Sequence, residues 1–297
     1  MFLRMSFRPA TRLACVLLLA ISAFAAGAPR TLTDAPDRWA KLEGARIRYQ
    51  DLGRGGPTLV LVHGWAGDVN IWREQAPHLA ARHRVLVLDL PGFGKSDKPE
   101  AAPYTMQYFA RAVLATMDAA HVQRAVIIGH SMGTPVMREV YRLAPARVLG
   151  LAAMDGMLRK PPITTEQAQQ FVARFRTPEY RQNAQAMLGG MMTTASPETK
   201  ELVVNTAAQA TQRSLLGAME GMFTDPSIWR EDMINVPLLV LHAPNAARTP
   251  EYEQSVRALA PNCTYEVLSG VDHFFMLEAP EQVNAKIDAW LNAQKWK

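Results

Sequence analysis

The pentapeptide GHSMG at residues 129–133 places Ser131 between two glycines with the spacing G-x-S-x-G. A serine hydroxyl becomes a useful nucleophile only when an imidazole removes its proton and an acid orients that imidazole. The apolar run AVII precedes the pentapeptide and the amphipathic segment MGTPVMREVYRLA follows it, as expected for a sharp turn between a strand and a helix. The segment therefore predicts a serine nucleophile, which requires a histidine and a carboxylate from elsewhere in the chain.

Short, nearly continuous apolar runs indicate the strands that would position this turn. They occupy residues 57–63, 84–90, 124–130, 148–155, 236–242 and 264–270. Runs without alternation are typical of strands buried on both faces. Helical patterns lie between most of them, at 104–120, 132–143, 251–259 and 280–290. Strands that alternate with helices predict an α/β fold with a parallel sheet. The alternating segment ARIRYQD predicts a further strand, paired with RWAKLEG as an antiparallel edge hairpin.

The interval between the run that ends near Asp155 and the run that starts near Val236 interrupts the alternation of strands and helices. Its pattern is helical, at 164–176, 178–188, 197–212 and 215–222. A helical insertion after a parallel strand lies over the crevice where such sheets bind ligands. We therefore expect a helical lid at 157–233, inserted between two parts of one core at 39–156 and 234–297.

Four segments, LVHGWAGD, VLVLDLPGFGKSD, GHSMG and GVDHFFMLEAPEQV, have the order and approximate spacing of one known family. Together they make the chain resemble the α/β-hydrolase superfamily, in particular its serine esterases with a helical lid. The resemblance implies a mostly parallel central sheet flanked by helices. It also implies that the backbone N–H groups of Trp65 and Met132 form the oxyanion hole, where preorganised donors stabilise the transition state.

The resemblance and the order of the motifs indicate His273 as the general base. It follows the predicted strand YEVLSG and comes late in the chain, as the order serine, acid, histidine requires. The other histidines fit the oxyanion turn (His63), the serine turn (His130), the surface (His78, His83 and His121) or packing at a strand end (His242).

The acid is the unusual member. In most of the family it follows the strand that corresponds to VPLLVLH, but this chain reads HAPNAARTP there, with Ala246 at the acid position and Asn245 beside it. Asp155 ends the neighbouring strand, and adjacent strands lie only about 4.8 Å apart. We therefore expect Asp155 to orient His273, the alternative being that Asp155 only caps a turn. Asp272 is a weaker rival because a residue adjacent to the histidine points its side chain elsewhere.

Residues 1–25 have the pattern of an export signal. Arg4, Arg8 and Arg12 precede the apolar run LACVLLLAISAFAA, and AFA at 23–25 matches a cleavage site. A linker is expected at 26–38. The apolar run is shorter than the roughly 20 residues of a spanning helix, although an uncleaved membrane anchor is the alternative. We expect an exported protein, periplasmic or secreted, without stable membrane insertion after cleavage.

Composition narrows the possible partners. Loss of the signal removes its three arginines and lowers the formal net charge from +5 by three, which gives no support for nucleic-acid binding. Cys15 lies in the signal, so Cys263 has no partner for an intramolecular disulfide. The GKS of GFGKSD lacks the earlier glycine of a phosphate loop, and no Cys or His spacing indicates a metal site. We therefore expect neither a cofactor nor a metal.

These predictions combine into an exported serine hydrolase that cleaves carboxylic esters through an acyl-enzyme intermediate. Methionines crowd the predicted lid, where we expect most to pack between helices and some to face the substrate as an adaptable lining. The apolar content of the lid favours a small molecule with an apolar acyl or alcohol group. One alternative keeps the site but performs amide or aminopeptide hydrolysis, carbon–carbon bond hydrolysis or acyl transfer. Another is a catalytically weak ligand-binding protein that has lost its acid. The sequence leaves the oligomeric state open.

Overall fold

The structure is a computed structural model that describes residues 31–296. The predicted signal at 1–25 and the first residues of the predicted linker lie outside the described residues. Within them, every helix is too short or too polar to cross a membrane.

One sheet organises the described part of the chain, with the strand order β1-β2-β4-β3-β5-β6-β7-β8. The strands are β1 (Arg38–Leu42), β2 (Ala45–Leu52), β3 (Leu59–Val62), β4 (Val85–Leu88), β5 (Ala125–His130), β6 (Val148–Met154), β7 (Leu238–His242) and β8 (Cys263–Val267). Strands β3 to β8 are parallel, while β1 and β2 form an antiparallel hairpin at one edge and β2 is antiparallel to β4. The predicted parallel sheet with its edge hairpin is confirmed.

Helices cover the sheet and follow the predicted alternation. They are α1 (Gln75–Ala80), α2 (Met106–Ala119), α3 (Gly133–Leu143), α4 (Thr165–Ala173), α5 (Tyr180–Gly190), α6 (Pro197–Ala208), α7 (Gln212–Phe223), α8 (Pro250–Leu259), α9 (Phe275–Glu278) and α10 (Pro280–Ala293). Every residue of β3, β4 and β5 is buried, because helices pack on both faces of these central strands. The main core therefore lies on both sides of the sheet.

The helices between β6 and β7 form the helical insertion, residues 157–233. The two helices predicted at 197–212 and 215–222 are present as α6 and α7, but the break between them comes earlier, because Thr211 accepts a hydrogen bond from the Ser214 N–H and caps α7 there. Phe171, Met187 and Met219 of the helical insertion line a cavity together with Ser131. The helical insertion therefore lies over the carboxyl ends of the strands.

Candidate active site

Ser131 stands on the sharp turn that the sequence predicts. Its backbone has φ +52°, and its N–H donates to the Met154 carbonyl at 2.9 Å, which ties the turn to β6. The flanking glycines are required by space. A Cβ on Gly129 would lie 2.3 Å from the Gly133 carbonyl oxygen, and one on Gly133 would lie 2.4 Å from that of Val62. The G-x-S-x-G spacing thus lets three backbone segments pass closely beneath the serine.

Trp65 and Met132 both line the cavity beside Ser131. Met132 begins the first turn of α3, where unpaired N–H groups carry partial positive charge. Trp65 lies in the turn after β3 and also lines the cavity. Within residues 31–296, neither the Trp65 N–H nor the Met132 N–H has a hydrogen-bond acceptor. Both are therefore available to an oxyanion.

His273 lies between β8 and α9, and its ring lines the same cavity as Ser131. Its Nδ1 lies 2.6 Å from Asp155 Oδ2. Among the described residues, the Ser131 hydroxyl makes no hydrogen bond to His273, a contact that often tightens only when substrate binds. The structure thus brings Asp155 and His273 together and places Ser131 at the same cavity.

Asp155 is held at the end of β6 by its neighbours on β7. Its backbone has φ +46°, and its N–H donates to the Leu241 carbonyl at 2.8 Å. The Ala243 N–H donates to Oδ1 at 3.1 Å, so Oδ2 faces His273. The carboxylate is therefore fixed by β7, the strand whose own following loop lacks an acid.

The surroundings of Asp155 keep it ionised. Burial by itself would raise its pKa, but the His242 and His273 rings and the Arg248 guanidinium outweigh burial and hold the pKa well below its usual range. His242 Nδ1 approaches Oδ1 to 3.4 Å without the alignment of a hydrogen bond, and Arg248 Nη2 lies 3.9 Å from the same oxygen. A permanent negative charge consequently stands behind the imidazole.

Several histidines near the site have structural contacts. His130 is buried and its Nε2 lies 2.9 Å from the His273 carbonyl oxygen; burial and the His273 ring lower its pKa to about 3. His63 Nε2 accepts a hydrogen bond from the Leu90 N–H at 2.9 Å. Both therefore support loops of the site as neutral rings. The surface position predicted for His83 is wrong, because its ring packs beneath Gly56 and is 8% exposed.

The rival acid Asp272 points away from the imidazole. Its Oδ2 accepts two hydrogen bonds from Thr194, from the N–H and the hydroxyl, both at 3.0 Å. Asn245 closes a local turn by accepting from the Ala247 N–H at 2.8 Å. Arg248 beside Asp155 could not be identified from the sequence, because no spacing in the chain marks an arginine that reaches across from the next loop.

The cavity has a volume of about 450 Å³ and two kinds of wall. Methionines line much of it, namely Met132, Met157, Met187, Met191, Met219 and Met222. Asn245, Arg248 and Asp272 supply a polar end. Among residues 31–296, no three His, Cys, Asp or Glu side chains converge closely enough to hold a metal ion. The arrangement has the parts of nucleophilic acyl chemistry beside an apolar chamber.

Comparison with known proteins gives the family. A family model described as alpha/beta hydrolase fold matches residues 57–280. The chain belongs to this family. An α/β hydrolase fold also agrees with the parallel sheet, and the turn at Ser131 has the sharp strand-to-helix form described above.

Relatives and structural neighbours of this α/β hydrolase have different activities. The chain is 32% identical over 282 residues to the dihydrolipoyllysine-residue acetyltransferase component of an acetoin cleaving system from Pseudomonas putida, covering 89% of this chain and 71% of that protein. It is 28% identical to a 2-hydroxy-6-oxononadienedioate/2-hydroxy-6-oxononatrienedioate hydrolase from Paraburkholderia phymatum, covering 80% and 88%. An esterase from Exiguobacterium antarcticum has a similar fold, with a TM-score of 0.77 at 16% identity, covering 87% and 100%.

Proposed function

We propose that this α/β hydrolase cleaves carboxylic esters through an acyl-enzyme on Ser131. The observation that carries the proposal is the 2.6 Å contact between Asp155 Oδ2 and His273 Nδ1, with the His273 ring and Ser131 on the same cavity wall. An imidazole fixed in this way by a carboxylate is the base that a serine nucleophile requires. Membership of a hydrolase family supports the same reaction class.

In the proposed mechanism, Ser131 Oγ attacks the ester carbonyl carbon while His273 Nε2 takes the hydroxyl proton. The N–H groups of Trp65 and Met132 donate to the resulting oxyanion, each such donor contributing about 3–4 kcal/mol. Collapse of the tetrahedral intermediate breaks the ester C–O bond, and His273 returns the proton to the leaving alcohol. Water then attacks the acyl-enzyme by the same route and releases the acid. Asp155 positions the imidazole and stabilises its protonated form.

The cavity supports a substrate with a small to medium apolar group. Its volume of about 450 Å³ holds a small molecule, and the methionines are flexible, polarisable surfaces that adapt to apolar shapes. Apolar residues of the helical insertion, such as Phe171 and Phe223, belong to the same wall. The proposal therefore favours apolar acyl or alcohol groups.

A panel of p-nitrophenyl esters of increasing acyl length tests this function. We expect wild-type turnover to fall to background in Ser131→Ala and to decrease by about 10⁴ in Asp155→Asn, because an amide cannot stabilise the imidazolium. Asp272→Asn is the matched carboxylate control, and we expect it to retain far more turnover than Asp155→Asn. A fluorophosphonate probe, which labels an activated serine whatever the substrate, should label wild type but not Ser131→Ala.

Other outcomes select the alternatives. Full activity of Asp155→Asn would remove Asp155 from the mechanism. Labelling without ester turnover would favour other acyl chemistry, and the two curated relatives, one named a transferase and one a hydrolase, give the classes to try next. The absence of both labelling and turnover would indicate a ligand-binding protein.

We also propose that the protein is exported by residues 1–25. The support is the pattern of the sequence, with three arginines before an apolar run and AFA at 23–25. Expression of the full chain in a Gram-negative host should yield periplasmic or secreted protein whose first residue is Ala26, as read by N-terminal sequencing. Recovery of an intact N-terminus in the membrane fraction would instead indicate an anchor.

A further inference from the structure

The loop after β7 surrounds Asp155 although it contains no acid of its own. Arg248, in this loop, has a side chain that is 8% exposed, and its Nη2 lies 3.9 Å from Asp155 Oδ1. Its Cζ lies 5.1 Å from the centroid of the Tyr252 ring. Among the described residues, Arg248 Nε and Nη1 are buried without a hydrogen-bond partner. Burying guanidinium N–H groups without hydrogen-bond partners costs free energy, and attraction between the Arg248 charge and a nearby anion offsets that cost.

Charged and titratable groups face the Asp155–His273 pair from several elements. From β5, His130 is neutral because burial and the His273 ring lower its pKa to about 3. From β7, burial lowers the pKa of His242. Asp272 is turned toward Thr194 instead. Within residues 31–296, the permanent cation beside the pair is thus Arg248.

We propose that Arg248 is a positioning residue that acts through Asp155. Its charge attracts the Asp155 carboxylate and holds it in place behind the His273 imidazole. The inference rests on the proposed function of Ser131, His273 and Asp155. The loop after β7 lacks the acid that most of the family has there, and in this proposal it instead holds Asp155 at the end of β6.

The sign of the effect follows from electrostatics. Attraction between the guanidinium and Asp155 Oδ1 restrains the carboxylate, whose Oδ2 orients the imidazole, so loss of the charge should slow the reaction at Ser131 without weakening the binding of an uncharged substrate. A purely structural role for Arg248 predicts no rescue by another cationic side chain.

The test is the rate of fluorophosphonate labelling of Ser131 in the full chain, measured together with kcat and KM for an uncharged p-nitrophenyl ester. In Arg248→Met we expect the labelling rate and kcat to fall several-fold while KM stays unchanged. Arg248→Lys should restore both because it keeps the charge. Arg257→Met, which removes an exposed arginine of α8 paired with Glu253, is the control and should match wild type.

A wild-type labelling rate in Arg248→Met would overturn the proposal, and equal losses in Arg248→Met and Arg248→Lys would overturn it in favour of a packing role. A rise in KM confined to esters that carry a carboxylate, with an unchanged labelling rate, would overturn it in favour of an anion subsite. If Arg248→Met does not fold, as judged by thermal unfolding, Arg248→Gln gives the same comparison. Labelling needs no ester turnover, so the absence of esterase activity would count against the proposed function and leave this test intact.

Discussion

Ser131 and Asp155 both have left-handed backbone, at the ends of neighbouring strands. Their φ angles are +52° and +46°, and His130 and Met154, the residues before them, are register partners between β5 and β6. Non-glycine residues in this region cost about 1–3 kcal/mol and are concentrated at functional sites. The two strained turns therefore lie next to each other at the carboxyl ends of β5 and β6.

Gly133 has no space for a side chain. A Cβ in Gly133→Ala would lie 2.4 Å from the Val62 carbonyl oxygen, and neither backbone segment can move without disturbing β3 or the serine turn. We expect a loss of about 2–4 kcal/mol in the free energy of unfolding. Gly189→Ala in α5 is the control, because a Cβ there meets nothing within 4 Å and favours the helix by up to about 1 kcal/mol. Equal stability of the two variants in urea unfolding would contradict this steric account.

The helical insertion is fixed to the core by a few polar contacts beside the site. Asp272 accepts two hydrogen bonds from Thr194, and Glu278 accepts from the Ser196 N–H at 2.9 Å. On the opposite side, Trp65 Nε1 donates to the Leu215 carbonyl at 2.9 Å. The loop that carries His273 and the turn that carries Trp65 are thus each tied to the helical insertion.

Thr194→Val tests this connection between elements. The valine keeps the shape and the N–H bond to Asp272 but loses the bond from the hydroxyl, and a hydrogen bond to a charged group contributes about 1.5–3 kcal/mol. We expect faster amide hydrogen exchange around residues 191–197 and a KM several-fold higher, with a smaller change in kcat. Thr194→Ser keeps the hydroxyl and should resemble wild type. Wild-type exchange rates in the valine variant would show that the contact does not hold the helical insertion.

Buried neutral histidines give the whole molecule a sensitivity to acid. Burial lowers the pKa of His63 and His242, and burial with the His273 ring lowers that of His130 to about 3. Below the ordinary histidine pKa near 6.5, the unfolded chain therefore binds protons that the folded chain does not, and stability falls as the pH falls. Asp68 acts in the opposite direction between about pH 6 and 4, because burial and Asp89 raise its pKa to about 6.

We expect the free energy of unfolding to decrease between pH 7 and pH 5. The slope is about 1.4 kcal/mol per pH unit for each net proton, and the histidines outnumber the opposing aspartate. His130→Gln cannot titrate, so its urea unfolding should show a shallower decline than wild type over the same range. A parallel decline in the two proteins would mean that His130 does not contribute to the acid sensitivity.

The family and the fold could be predicted from the sequence because their signals are local. Apolar runs of strand length, such as 124–130, indicate strands buried on both faces whatever their partners. The spacing of GHSMG is likewise a local steric requirement, as the approaches of Gly129 and Gly133 show. Helix ends were less certain, since the break between α6 and α7 depends on a single capping threonine, Thr211.

Contacts between distant residues were decided only by the tertiary structure. That Asp155 reaches His273 across 118 positions of sequence depends on the neighbouring places of β6, β7 and β8 in the sheet. The sequence could name Asp155 as a candidate, but it could not indicate that His242 and Arg248 surround the same carboxylate. Strand patterns report which residues are buried, whereas electrostatic partners are set by distances that exist only once the strands are assembled.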